Sequence, residues 1–377
     1  MRARILKHDL HMNNFDSICR DIEKGIEPDD GALKLLLELE DEAELQRLFS
    51  IAYDIKTRYV GRKVYFRGLV ELSNICTKNC LYCGIRKGNS KVNRFILTKQ
   101  EIVEETLWAL KSHYGSVVLQ SGERSDPEFV DFIEDTLREI TLRSEGKLGI
   151  TLSLGEQSFE TYRRWFEAGA QRYLLRIESS DPELYHKLHP ADHSYEERVD
   201  CLRHLQKAGF QTGTGVMIGL PFQTTENLIH DLRFFQKLDI DMIGMGPYLV
   251  HPDTPLAEAM PEFEAKRKHQ LKMGLKMIAC ARILLKDVNI ASTTALQALD
   301  SNGRQQGLLA GANVMMPNIT DTRYRAGYQL YAGKPGMNEN SEESKISLEQ
   351  SILAIGETIG YDEWGNPKHF YQRTGKE

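Results

Sequence analysis

Three of the six cysteines in this 377-residue chain fall within eight residues. Cys76, Cys80 and Cys83 form the spacing CxxxCxxC, and the other three are scattered along the chain. In a reducing compartment, a tight group of thiols indicates metal binding or catalysis before it indicates a disulfide. Three thiolates are one fewer than a closed structural zinc site uses, and no His or Cys follows at zinc-finger spacing. Three cysteines suit a 4Fe–4S cluster in which they hold three irons and leave the fourth open, and we predict such a cluster here.

The elements that must position this loop follow a regular alternation from residue 61 onward. Apolar, β-branched runs are followed by polar or glycine turns and then by amphipathic helices, which is typical of parallel β/α units. Helix starts are signalled by a capping box at Thr98 and Glu101 and by Asp126-Pro127. The eight predicted strands are 64–72, 116–120, 148–154, 173–176, 211–218, 241–246, 289–292 and 313–316.

Eight β/α units predict the fold class, a (β/α)8 TIM-type barrel preceded by N-terminal helices. We expect a helical segment at 1–60, the barrel core at 61–318, and an active-site loop with a closing helix at 319–377. In such barrels the chemistry lies just past the carboxyl ends of the strands, where this chain repeatedly carries polar or glycine-rich groups. A long loop at 319–343 is expected to line the site first and to end as a mobile surface, followed by a last helix over 347–359.

Composition and charge exclude several other classes of protein. Apolar residues make up 41% of the chain and charged residues 27%, which is typical of a globular protein rather than a disordered one. The net charge of −6 does not favour nucleic acid or an anionic membrane as a partner. The longest uncharged run, 208–225, is interrupted by four glycines and a proline, so we predict no membrane helix. The first residues lack the apolar core of a secretory signal, so we expect a cytoplasmic protein.

The segment CTKNCLYC at residues 76–83 resembles the signature of the radical S-adenosylmethionine (SAM) superfamily, in which an aromatic residue often precedes the third cysteine. Further stretches are similar to the HydE family, the radical SAM maturases of FeFe-hydrogenase. They are VVLQSGE, ITLSLGE, YLLRIES, GVMIGLPFQT, MIGMGPYLVHPDTPLA, ASTTAL, GANVMMPN and YQLYAGK, in the expected order. Some HydE proteins carry a second cluster held by cysteines after YQLYAGK. The corresponding stretch here, GKPGMNENSEESK, has no cysteine, so we expect one cluster and no second one.

The resemblance implies roles for individual residues. It makes Cys76, Cys80 and Cys83 the cluster ligands, with SAM chelating the open iron and being cleaved by one electron to methionine and a 5′-deoxyadenosyl radical. The implied cofactor-binding residues are Tyr82, Ser121, Gly122, Glu123, Thr151, Glu178 and Arg198. The implied catalytic or substrate-lining residues are Arg176, Thr293, Thr294, Tyr328 and Tyr331.

Some of these roles leave alternatives open. Tyr82 either packs against the adenine of SAM or is a core aromatic residue. Arg198 either pairs with the SAM carboxylate or forms a surface ion pair. Arg176 either anchors an anionic substrate or is the buried partner of Glu156 or Glu178.

The substrate implied by the resemblance is a small cysteine-bound iron species with carbonyl and cyanide ligands, made by the partner maturase HydG. The implied partners also include HydF and a one-electron reductant of the ferredoxin or flavodoxin type. Two alternatives remain: a radical SAM enzyme on a small amino-acid-like substrate, akin to methylornithine or biotin synthase, and a non-catalytic cluster-binding scaffold. The scaffold hypothesis predicts a cluster without SAM cleavage.

Overall fold

The computed structural model describes residues 14–375 and shows strands alternating with helices over most of that length. Eight strands form the barrel: β1 Lys63–Ser73, β2 Ser116–Ser121, β3 Gly149–Ser153, β4 Arg172–Leu174, β5 Gln211–Thr214, β7 Met242–Ile243, β9 Asn289–Ile290 and β10 Val314–Met315. Two short strands, β6 Met217–Ile218 and β8 Gly246–Pro247, pair with each other just beyond β5 and β7. All eight predicted strands are therefore present.

The barrel strands are parallel and lie in the order β10-β1-β2-β3-β4-β5-β7-β9. A parallel bridge between Ala291, which follows β9, and Val314 in β10 joins the two ends of this sheet. The backbone N–H of Ser292 donates to the carbonyl of Val314 at 2.8 Å and completes the ring. The predicted fold class is confirmed.

Helices cover the outside of the ring, because parallel strands need crossover connections that return along the barrel wall. They are α4 Lys99–Lys111, α5 Pro127–Arg143, α6 Phe159–Glu167, α7 Pro182–Leu188, α8 Tyr195–Ala208, α9 Thr225–Leu238, α10 Phe263–Leu284, α11 Thr294–Leu299 and α12 Gly303–Leu309. The capping box at Thr98 and Glu101 is present, and Asp126 caps α5 with Pro127 in its first turn. No helix among residues 14–375 is long and apolar enough to span a bilayer.

The N-terminal segment is helical, as predicted, from residue 14 onward; residues 1–13 lie outside the described part of the chain. It contains α1, described over 14–23, α2 Asp30–Glu38 and α3 Glu42–Tyr59. Leu33, Leu36 and Leu37 of α2 are fully buried. Both α2 and α3 pack against α10, so these helices cover one side of the barrel wall.

The C-terminal part differs from the prediction. A short helix, α13 Thr322–Arg325, interrupts the expected loop, and the next helix, α14, runs over Ser341–Ala354 instead of 347–359. Its start is a capping box between Asn340 and Glu343, a signal that the predicted boundary overlooked. Residues 358–359 form a strand, β11 Thr358–Ile359, that pairs with the start of β1.

The last described residues, 360–375, lie beneath the barrel and include α15 Lys368–Thr374. The carbonyl of Gly365 accepts hydrogen bonds from Arg67 at 3.2 Å and from Asn289 at 2.7 Å. Arg172 donates to Asn366 at 2.5 Å. Because these donors belong to barrel strands, the C-terminal segment closes the end at which the strands begin.

Candidate active site

The opposite end of the barrel, where the strands finish, opens into a cavity of about 310 Å³. All but one of the fifteen residues predicted to form the site line this cavity. They are Cys76, Cys80, Tyr82, Cys83, Ser121, Gly122, Glu123, Arg176, Glu178, Arg198, Thr293, Thr294, Tyr328 and Tyr331. The carboxyl ends of parallel strands thus bring together side chains that are up to 255 positions apart in the sequence.

The exception is Thr151, which does not line this cavity. It lies in the middle of β3, paired with Val118 of β2 and Arg172 of β4, and its hydroxyl accepts a bond from Arg172 Nε at 3.1 Å. It borders a much smaller space deeper in the barrel. Ser153, two residues farther along β3, lines the large cavity instead.

The cysteine loop is fastened to the end of β2 through the backbone of Glu123. The N–H of Glu123 points at Cys76 Sγ at 3.3 Å, and its carbonyl accepts from the N–H of Thr77 at 2.9 Å and the hydroxyl of Thr77 at 3.0 Å. Gly122 allows this approach, because a Cβ there would lie 2.5 Å from the carbonyl oxygen of Ile75. The loop is therefore held in place by backbone contacts.

The donor set fits the cluster that the spacing predicts. All three cysteines of the loop are free thiols on the wall of one cavity. Among the described residues no group of His, Cys, Asp and Glu is arranged to hold a single metal ion. A 4Fe–4S cluster does not need the three thiolates to converge on one ion, since each thiolate binds a different iron. Burial raises the pKa of the Cys80 thiol to about 12, so cluster binding must displace its proton.

Beside the cysteine loop lie four charged side chains that we call the charge ring: Lys78, Glu123, Glu156 and Arg198. Lys78 Nζ lies 3.3 Å from Glu123 Oε1 and 2.9 Å from Glu156 Oε2. Arg198 Nε lies 2.6 Å from Glu156 Oε1, and its terminal nitrogen lies 3.7 Å from Glu123 Oε2. Burial tends to raise the pKa of Glu156, but Arg198 and Lys78 hold it below its ordinary value. The side chain of Arg198 is 10% exposed, so the surface-ion-pair alternative is wrong.

Of the two carboxylates considered as buried partners of Arg176, the structure pairs it with Glu178 and not with Glu156. Its guanidinium lies 2.9 Å from Glu178 Oε2 and donates to the carbonyl of Val216 at 3.0 Å. Glu156 pairs with Lys78 and Arg198 instead. Arg176 Nε is buried, and within the described residues it has no hydrogen-bond partner. Burial raises the pKa of Glu178, which adopts a left-handed backbone with φ of 65°.

A further part of the cavity wall comes from the start of α11 and from the segment 318–340, which we call the strap and which follows β10. Tyr331 of the strap donates to Thr294 Oγ1 at 3.0 Å. The neighbouring Thr293 hydroxyl is buried and has no partner among the described residues. Tyr82 also lines the cavity, and its hydroxyl lies 3.1 Å from His189 Nε2.

The strap is anchored along its length, including the part that the sequence predicted to be mobile. The buried guanidinium of Arg325 donates to the carbonyls of Thr320 and Gly336 at 2.6 Å and of Glu339 at 2.7 Å. Lys334 contacts the buried carboxylate of Glu71, at the end of β1, and the carbonyl of Tyr328 at 3.0 Å. Tyr328 and Tyr331 are therefore held against the cavity.

The sequence analysis missed three charged residues that line the cavity: Glu71, Lys78 and Lys334. Lys78 lies between two of the cysteines, and Lys334 ends the segment YQLYAGK, so both were within segments already singled out. Glu156 was considered as a partner of Arg176 but not of Arg198. Sequence position alone does not show which of several charges will pair.

Comparison with known proteins agrees with this geometry. The family model of the radical SAM superfamily matches residues 70–235. The chain is 43% identical over 343 residues to the [FeFe] hydrogenase maturase subunit HydE of Thermotoga maritima, covering 90% of this chain and 94% of that protein. It is 29% identical over 305 residues to the 3-methylornithine synthase of Methanosarcina acetivorans, covering 80% and 83% of the two chains.

Two solved structures are similar over most of the chain. The crystal structure of methylornithine synthase (PylB) has a TM-score of 0.76 at 25% identity and covers 92% of this chain and 98% of that one. The maturase HydG from Carboxydothermus hydrogenoformans has a TM-score of 0.78 at 18% identity, covers 98% and 85%, and shares the fold. Since the sequence identity to HydE extends over nearly the full length of both chains, this chain belongs to the HydE family of radical SAM enzymes.

Proposed function

We propose that this chain is a maturase of FeFe-hydrogenase that uses SAM to act on a small cysteine-bound iron species carrying two carbonyl ligands and one cyanide. The observation that carries this proposal is the 43% identity to the HydE protein of Thermotoga maritima across 94% of that protein. HydG would supply the substrate, and HydF would take part downstream.

Two groups of residues would bind the cofactors. Cys76, Cys80 and Cys83 would hold the single 4Fe–4S cluster. When bound, the reduced cluster supplies the electron that cleaves the sulfonium of SAM to methionine and a 5′-deoxyadenosyl radical. Glu123 and Arg198 carry the charges that complement the ammonium and carboxylate of SAM, and both line the cavity next to the cysteine loop.

Two further groups on the cavity wall suit a substrate that carries an amino-acid group. Arg176 Nε and the Thr293 hydroxyl are buried without partners among the described residues, and both residues line the cavity. A buried polar group without a partner costs about 1–3 kcal/mol, and a bound carboxylate would remove that cost. The cysteine moiety of the proposed substrate carries such a carboxylate.

The test is anaerobic turnover of the reconstituted protein. The protein is loaded with iron and sulfide and given dithionite and SAM, and 5′-deoxyadenosine is quantified with and without the cysteine-bound iron dicarbonyl cyanide species. We expect the substrate to raise SAM cleavage well above background. Cys83→Ala is the control for cleavage that does not depend on the cluster.

The other outcomes separate the alternatives. Cleavage that ignores this substrate but responds to an amino acid would favour a methylornithine-synthase-like reaction. A cluster that forms without any SAM cleavage would point to the scaffold hypothesis. Flavodoxin or ferredoxin in place of dithionite tests the proposed one-electron reductant, and iron and sulfide analysis tests for one cluster per chain.

A further inference from the structure

Lys78 lies inside the cysteine motif but is not a candidate cluster ligand, because an ammonium has no lone pair to donate. Its Nζ instead lies between two carboxylates, Glu123 after β2 and Glu156 after β3. The Lys78 carbonyl accepts from the N–H of Lys87 at 2.8 Å, which ties together the two halves of the loop. Lys78 thus connects the cysteine loop with two strand ends.

The charge ring is close to electrically neutral, with two cations facing two carboxylates. None of the four side chains is more than 21% exposed, so their interactions are only weakly screened by solvent. Without Lys78, Arg198 alone would have to neutralise both Glu123 and Glu156. Its guanidinium would then be drawn fully into the ring.

With Lys78 present, the hydrogen bonds of Arg198 are distributed differently. Its Nε bonds to Glu156 at 2.6 Å and one terminal nitrogen bonds to the carbonyl of Arg176 at 3.1 Å, whereas the contact with Glu123 is 3.7 Å. That last distance is longer than a hydrogen bond. One edge of the guanidinium therefore remains available on the cavity wall.

We propose that Lys78 is a positioning residue for SAM: by neutralising Glu123 and Glu156 it leaves Arg198 free to bind the SAM carboxylate and fixes the carboxylate of Glu123 beside the cysteine loop. This inference rests on the proposed SAM-binding roles of Glu123 and Arg198. It does not depend on the identity of the iron-containing substrate.

The test compares variants of the reconstituted protein before any turnover. The measurements are iron content, the electron paramagnetic resonance spectrum of the reduced cluster with and without SAM, and the Kd of SAM for the oxidised protein. For Lys78→Met we expect wild-type iron content, a Kd raised about tenfold or more, and loss of the spectral change caused by SAM. The matched control is Lys87→Met, which removes an exposed lysine from the same loop and should leave all three measurements unchanged.

Two further variants distinguish positioning from a purely structural role. Lys78→Arg keeps the charge and should restore the Kd to within about threefold of wild type. Lys78→Met combined with Glu156→Gln removes one charge of each sign, so the ring stays neutral and SAM affinity should recover in part.

Several results would overturn the proposal. One is a Kd for Lys78→Met within twofold of wild type at full iron content. If Lys78→Met fails to hold the cluster, the double variant decides: failure to recover both the cluster and the affinity contradicts the role given to charge. Failure of the proposed function alone would look different, because wild-type protein would bind and cleave SAM without responding to the iron dicarbonyl cyanide species.

Discussion

The two ends of the barrel differ in what occupies them. At the end where the strands begin, the segment 360–375 enters the barrel mouth and bonds to Arg67, Arg172 and Asn289. At the end where the strands finish, the barrel opens into the cavity of about 310 Å³, which Arg176 and Thr293 line together with the cysteine loop. The first arrangement fills space and contributes stability, and we propose that the second serves ligand binding. Substitutions at the two ends should therefore separate stability from activity.

The largest expected effect is at the cavity end. Cys80→Ala removes one of the three thiolates predicted to hold the cluster, so SAM cleavage should fall to background. The free energy of unfolding of the cluster-free protein should change by no more than about 1 kcal/mol, because a thiol without a bound metal contributes little. Turnover assays and denaturant unfolding check the two parts. A large loss of stability in the cluster-free protein would contradict the separation.

The next effect is at the opposite end. Asp241 is fully buried; it lies 2.7 Å from Arg373 of the C-terminal segment and accepts from the N–H of Thr212 at 2.8 Å. Asp241→Ala leaves both donors without their partner and should lower the free energy of unfolding by about 3–5 kcal/mol. At temperatures where the variant is folded, the Kd of SAM should be unchanged.

A matched control for Asp241→Ala is Glu160→Gln, which breaks an exposed ion pair with Arg163 on α6. Its effect on stability should stay below about 0.5 kcal/mol. If Asp241→Ala weakened SAM binding as strongly as it destabilised the fold, the two ends would be coupled and the comparison would fail.

A smaller effect is expected at two neighbouring threonines of the cavity wall, Thr293 and Thr294. Thr293→Val keeps the side-chain shape and removes a hydroxyl that has no partner among the described residues, so stability should be unchanged or slightly higher. Substrate-dependent SAM cleavage should fall about tenfold if this hydroxyl binds substrate. Thr294→Val is the control, because it also loses the bond from Tyr331 and should destabilise the protein. An unchanged substrate response in Thr293→Val would remove this residue from the binding site.

The smallest effect concerns pH. His369 of the C-terminal segment lies 3.1 Å from Asp287 and 2.8 Å from Asp239, and its hydrogen bond to Asp287 is the main cause that raises its pKa. A pKa that is higher in the folded protein means that stability is fully present below about pH 6.5 and is lost as pH rises through the folded pKa. His369→Gln should be less stable than wild type at pH 6, and the difference should shrink by pH 8. Thermal unfolding at the two pH values measures it, and a constant difference would contradict the assignment.

Most of the fold was predictable because local signals repeat. All eight barrel strands were identified from apolar runs, and the capping signals located the starts of α4 and α5. The errors fall in 319–359, where a capping box at Asn340 was overlooked and a strand pair with β1 was missed. That pairing joins residues almost 300 positions apart, so no local sequence pattern indicates it.

The sequence by itself determined the cluster loop, since the spacing of three cysteines over eight residues is a local property. It also determined the alternation of strands and helices that brings strand ends to one face. The tertiary structure decided which residues on those strands reach the cavity, because the register between strands sets the depth of each side chain. Thr151, paired with Arg172, lies too deep, while Ser153 reaches the cavity. It also decided that Lys78 and Arg198 share Glu123 and Glu156, since charge pairing depends on distance in space rather than along the chain.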